Sequence, residues 1–115
     1  MPIEPSAKIV QVLVLPSKPG IVLLSNPRKA LPLSRSKIGK VAVVGPNADV
    51  QDVLYGNYQG TPPYLITPRA GLVAALPAAT VHYAQGCYNV ACANSSGFAA
   101  AIAAASASDV GAIVA

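Results

Sequence analysis

Val41-Ala42-Val43-Val44 is an unbroken apolar run, and Gly45-Pro46-Asn47 ends it abruptly. A strand with no polar alternation needs cover on both faces, which is the situation of a parallel sheet flanked by helices. The glycine turn at its carboxyl end fits the passage from such a strand into a crossover connection. This single stretch already argues against an antiparallel sheet with one wet face.

Other segments extend the pattern. Residues 1–20 read as irregular, although Ile9 to Leu15 has strand character before Pro16 and the Pro19-Gly20 pair stop it. Ile21-Val22-Leu23-Leu24 is a short β-branched run closed by Ser25-Asn26-Pro27, and it reads as a buried strand. Asp49 to Leu54 has room for one or two helical turns, and residues 56–63 read as a loop. Thr67-Pro68 marks a helix start, because Thr accepts from free backbone N–H groups and Pro suits the first helical position. Leu72, Val73 and Leu76 give that helix an apolar face, and Pro77 ends it. Val81 to Ala84 reads as a further strand. Phe98 to Ser108 reads as a helix rich in Ala, the best helix former. Val110 to Val114 opens a last buried strand. The order strand, strand, helix, strand, helix, strand predicts an α/β class with a mostly parallel sheet. The chain stops inside that last apolar run, whereas domain boundaries prefer polar linkers, so the expectation is an incomplete domain. An apolar edge exposed there favours aggregation, and poor solubility of the isolated chain is expected.

Charge is scarce. Charged residues make up 10% of the 115, against about 25% in an average globular chain, so cover by further protein is the favoured explanation. The net charge of +4 is local. Lys8, Lys18, Arg28, Lys29, Arg35, Lys37 and Lys40 precede the Val41 run, and only Arg69 follows. No aromatic residue lies among the first forty, so a stacking platform for single-stranded nucleic acid is not expected. A solvated connecting segment fits better. No secretory leader is visible at Met1, and no apolar run is long enough for a membrane span.

Few residues can carry chemistry. The carboxylates are Glu4, Asp49, Asp52 and Asp109. Asp49 and Asp52 can share a helix face, but a capping role after a strand turn is the better reading of Asp49. Asp109 reads as a turn residue. Glycoside hydrolysis needs two carboxyl groups across the scissile bond, and no such pair is credible, so no catalytic residue is assigned. The lone His82 lies in a strand without an evident nucleophile or acid, and its structural reading is favoured. One His and two Cys cannot form a zinc site without added carboxylates, and no cofactor is expected. Residues 45–49 lack the G-x-G-x-x-G pattern, and Pro46 removes an N–H that a phosphate would use. Cys87 and Cys92 are spaced so that a local disulfide forms if the loop folds back, in an oxidising compartment. Two separate thiols satisfy the spacing equally. Asn94-Ser95-Ser96 has the N-glycosylation pattern.

Taken in order, these segments resemble glycoside hydrolase family 3. Residues 21–26 followed by Leu31-Pro32-Leu33 are similar to the family's "IVLLKN…LPL". Residues 41–49 resemble "VAVIGPNAD". Gly56-Asn57-Tyr58-Gln59-Gly60-Thr61-Pro62 resembles "GNYxGTP", residues 67–72 resemble "TPLEGL", and Tyr83-Ala84-Gln85-Gly86-Cys87 resembles "YAxGC". The segment from Gly86 to Cys92 is most similar to the β-xylosidase and α-arabinofuranosidase branch. The match covers residues 21–115, taken here as part of the family's C-terminal α/β sandwich domain. Residues 1–20 depart from it, because two prolines replace the helix usual before the first motif.

The cysteine pair and the Asn94 triplet together tilt towards a secreted parent, and the resemblance implies that in this parent a (β/α)8-type barrel carries the nucleophilic Asp and the sandwich domain carries the acid/base Glu. Both lie outside this chain. The expected activity of the parent is exo-acting, retaining hydrolysis of β-linked xylose or arabinose from plant cell-wall material. The expected partners are that carbohydrate and the barrel, with no nucleic acid and no membrane. The chain alone is expected to be inactive. A β-glucosidase of the same family and a non-catalytic carbohydrate-binding module are the alternatives. The family places an aromatic side chain after the "GPNAD" strand beside the sugar, which points to Tyr58, with Asn57 as a second candidate for the same cleft.

Overall fold

The computed structural model describes residues 22–58 and 60–115. The stretch read as a strand from Ile9 to Leu15 lies outside them. Three strands form one parallel sheet: β1 (Lys40–Val44), β2 (Thr80–Ala84) and β3 (Val110–Ile113). The spatial order is β2-β1-β3. Val41 stands opposite Val81 on one side and Val110 on the other, and Val44 opposite Ala84 and Ile113. β1 therefore has a partner on each side. Its residues Val41, Ala42 and Val43 are at most 1% exposed, as the unbroken apolar run requires.

Helix α1 (Pro68–Ala75) joins β1 to β2, and helix α2 (Phe98–Ser106) joins β2 to β3. Strand pleating separates the two faces. Val41, Val43, Val81, Tyr83, Val110 and Ala112 pack with Leu72 and Leu76 of α1. The opposite face carries Ala42, Val44, His82 and Ala84 and meets α2. Opposite faces are what right-handed crossovers require when the chain steps from β1 to β2 and then returns past β1 to β3.

Local chemistry sets the ends. The Thr67 hydroxyl accepts from the Ala70 N–H at 3.1 Å, and Pro68 begins the helix. Leu76 N–H donates to the Leu72 carbonyl in the last turn, just before Pro77. α2 ends two residues earlier than its alanine run suggests. The Ser108 hydroxyl donates to the Ala104 carbonyl at 2.9 Å there, a local bond of the kind that competes with helix continuation. Gly45 has φ +135°, and a Cβ on it would strike the Val114 backbone. The residue at this turn has to be glycine for β1 and the end of β3 to lie so close.

Two expectations are corrected. The run read as a strand at Ile21 to Leu24 joins no ladder over its described residues, and Val22, Leu23 and Leu24 are 69%, 51% and 83% exposed. Strand propensity needs a free sheet edge to act on. Leu31 and Leu33 pack against the core instead, after the Asn26 side chain brackets Leu31 through both its N–H and its carbonyl. The sheet thus has three described strands rather than four. The helical turns expected from Asp49 shrink to one 3-10 turn, Asp52–Leu54, because Asp49 is tied elsewhere.

Candidate functional site

Parallel strands aim their carboxyl ends at one edge of the sheet, and ligands of open α/β folds bind there where the strand order reverses. In this molecule that edge is built from residues 45–49 after β1, residues 85–97 after β2 and Val114 after β3. The Gly45 N–H donates to the Ala84 carbonyl, and the Val114 N–H to that of Val44, closing the ladder at this edge.

A polar tie holds the loop after β1 onto the start of α1. Asp49 Oδ1 accepts from the Thr67 hydroxyl at 2.7 Å, and Asp49 Oδ2 meets Arg69 Nη1 at 2.6 Å. The Arg69 N–H donates to the Ala48 carbonyl at 2.9 Å, and the guanidinium lies 4.9 Å from the centre of the Tyr83 ring. The Arg69 guanidinium, then the Thr67 hydroxyl, hold the Asp49 carboxyl below its ordinary value. A carboxylate with both oxygens engaged and its charge so stabilised is a poor proton donor and a poor nucleophile. Beside it a shallow cleft of about 460 Å³ is lined by Asp49, Val50, Gln51, Asp52, Leu65, Thr67 and Ala70.

Asp109 stands at the opposite edge, among the amino ends of the strands. Its Oδ2 accepts from the Gly39 and Lys40 N–H groups at 3.0 and 2.9 Å, joining the approach to β1 to that of β3. Asp52 is exposed in the 3-10 turn. Asp49 and Asp109 are therefore separated by the length of the sheet, and each already serves the fold. His82 lies on the α2 face of β2, and its Nε2 is buried without a hydrogen-bond partner among the described residues.

Residues 55–58 and 60–66 belong to no helix or strand and lie between the 3-10 turn and α1. Tyr58 sits on this loop fully exposed, and Asn57 beside it is exposed as well. Tyr55, Tyr64 and Ile66 on the same loop are exposed to 39%, 73% and 59%. The loop thus presents aromatic surface suited to the apolar face of a sugar ring or to another protein surface. Asn57 and Tyr58 are brought against none of the carboxylates by a hydrogen bond among the described residues. Arg69 was not singled out from the sequence. Only its position two residues after a helix cap hinted at a role, and its partner lies twenty residues away.

After β2, Cys87 and Cys92 are joined by a disulfide with Cα atoms 5.0 Å apart. Asn94 is exposed in the irregular stretch that follows. The described residues contain no helix long and apolar enough to cross a membrane. Arg28, Lys29, Arg35, Lys37 and Lys40 are all exposed along the segment leading into β1.

Residues 21–115 match the family model of the glycosyl hydrolase family 3 C-terminal domain. The chain is 46% identical over 78 residues to a β-xylosidase/α-L-arabinofuranosidase 1 of Medicago sativa subsp. varia, covering 68% of this chain and 10% of that protein. It is 44% identical over 95 residues to β-D-xylosidase 1 of Arabidopsis thaliana, covering 83% and 12%. A solved structure of a family 3 exo-β-xylosidase, XlnD, in complex with a xylobiose aziridine activity-based probe superposes with a TM-score of 0.65 at 43% identity. That match covers 73% of this chain and 10% of the other. The chain spans about a tenth of the length of these relatives.

Proposed function

This chain belongs to the glycosyl hydrolase family 3 C-terminal domain family, and on that premise we propose that it forms one wall of the sugar cleft of an exo-acting, retaining β-xylosidase or α-arabinofuranosidase. The wall is the carboxyl edge of the sheet, with Tyr58 stacking on the sugar and Asn57 beside it. The observation that carries this reading is the exposed aromatic loop of residues 55–66 at that edge, in a chain more than 40% identical to xylosidases.

The chemistry itself falls to groups outside the chain. A retaining mechanism needs two carboxyl groups about 5–5.5 Å apart, one as nucleophile and one as acid and base. Asp49 is bound by Arg69 and Thr67, Asp109 anchors the far edge, Asp52 makes no side-chain hydrogen bond among the described residues, and Glu4 lies outside them, in the segment that departs from the family pattern. The chain by itself therefore binds without cleaving. The disulfide between Cys87 and Cys92 favours a secretory or extracellular location. Titration of the purified chain with xylobiose and xylotriose, followed by amide NMR, tests the proposal. Shifts should cluster in residues 55–66 and disappear in Tyr58→Ala. Unchanged spectra at millimolar sugar, or equal shifts in the variant, count against it.

A further inference from the structure

We infer that Asn94, on the lobe of residues 85–97, is a glycan attachment site. Of the asparagines at 26, 47, 57, 89 and 94, only Asn94 begins an Asn-X-Ser/Thr triplet with X other than Pro. The structure adds what the triplet lacks. Residues 85–97 leave the sheet after β2 and return to start α2, and the base of this lobe is closed by backbone. Gly97 lies so near the Gly86 carbonyl that a Cβ at 97 would collide with it. Inside the lobe the Cys87–Cys92 disulfide fixes the next turn, and Asn89 Oδ1 accepts from the Cys92 N–H at 3.1 Å. Asn94 follows on the outside, exposed and free of helix or strand.

Its amide is disposed for reaction. Asn94 Oδ1 accepts from the Ser96 N–H at 2.9 Å. An N–H needs an acceptor, so the oxygen takes that place and Nδ2 is turned to solvent. Nδ2 makes no hydrogen bond among the described residues, and Ser96 is exposed beside it. The co-reactant is a polyprenyl-pyrophosphate-linked oligosaccharide with its membrane transferase. Nδ2 forms a bond to C1 of the first sugar, the C1–O bond to pyrophosphate breaks, the lipid pyrophosphate leaves with the electron pair, and one amide proton passes to a transferase base. The Cys87–Cys92 disulfide, which ends two residues before Asn94, belongs to the same oxidising compartment in which that transfer occurs. A bulky, solvated glycan needs open solvent at the residue that carries it, and Asn94 is exposed.

The test is expression of the whole 115-residue chain behind a cleavable secretory leader in a eukaryotic host, with the lumenal and secreted forms both collected. The expected result is a glycosylated chain that peptide N-glycosidase converts to the unmodified mobility, leaving Asp at position 94 in the peptide mass spectrum. N94Q and S96A should lose the modification, and S96T should keep it. A lumenal, disulfide-bonded chain with unmodified Asn94 overturns the assignment.

Discussion

Replacing Asp49 tests the tie that gives the carboxyl edge its shape. Asp49→Asn removes the charge but leaves an acceptor for Thr67. The ion pair with Arg69 is partly exposed, with side chains 27% and 44% accessible, so screening limits the loss to about 0.5–1 kcal/mol. Asp49→Ala removes both acceptor oxygens and strands the Thr67 hydroxyl and one guanidinium donor, at a cost of about 2 kcal/mol. In a domain near 100 residues that lowers the melting temperature by roughly 10 °C. The pH dependence has a definite sign. The folded Asp49 carboxyl lies below its ordinary value because of Arg69 and then Thr67. Its contribution is complete above the unfolded value of about 3.9 and is lost as pH falls through the lower folded value. Urea unfolding of the parent and Asp49→Asn, followed by circular dichroism from pH 7 to pH 2, should show a constant gap down to about pH 4 that then narrows. Asp49→Asn combined with Arg69→Gln should cost less than the sum of the two, since they share a partner. A pH-independent gap, or strict additivity, would refute the tie.

Other outcomes follow from single contacts. Gly45→Ala meets both the positive φ and the Val114 backbone, and should destabilise the chain by on the order of 3 kcal/mol in the same unfolding assay. Reducing the Cys87–Cys92 disulfide, whose partners are five apart in sequence, should cost about 2 kcal/mol on the loop-entropy account, read as a lower urea midpoint in reductant. Tyr58→Ala should leave the unfolding free energy within about 0.5 kcal/mol because the ring is fully exposed, while abolishing detectable xylo-oligosaccharide binding.

Much of the fold was legible because its strongest signals are local. The Val41 run and Gly45 announce a buried parallel strand and its turn, and both are in place. Thr67-Pro68 marks the start of α1 to the residue, since capping is decided within four positions. The alanine run marks α2. Ile21 to Leu24 misleads for the opposite reason. A β-branched run states that a segment suits a sheet, but a free edge in the right place is a property of the whole fold. The Asp49 site was half legible. Its capping character was visible, but it serves the start of α1, eighteen residues on, together with Arg69 at twenty. Pairings of that length leave no periodic trace. Tyr58 and Asn57 were placed on their loop by motif alone, and both are exposed, with no carboxylate held against them by a hydrogen bond among the described residues.

The central claim is that this chain contributes a binding wall and no catalytic carboxylate. Release of nitrophenol from 4-nitrophenyl β-xyloside by the purified 115-residue chain measures it directly. The account predicts no turnover above the buffer rate from pH 4 to pH 7. Turnover that is abolished by Glu4→Gln, Asp49→Asn, Asp52→Asn or Asp109→Asn would contradict it, because one of those carboxylates would then be acting on the sugar.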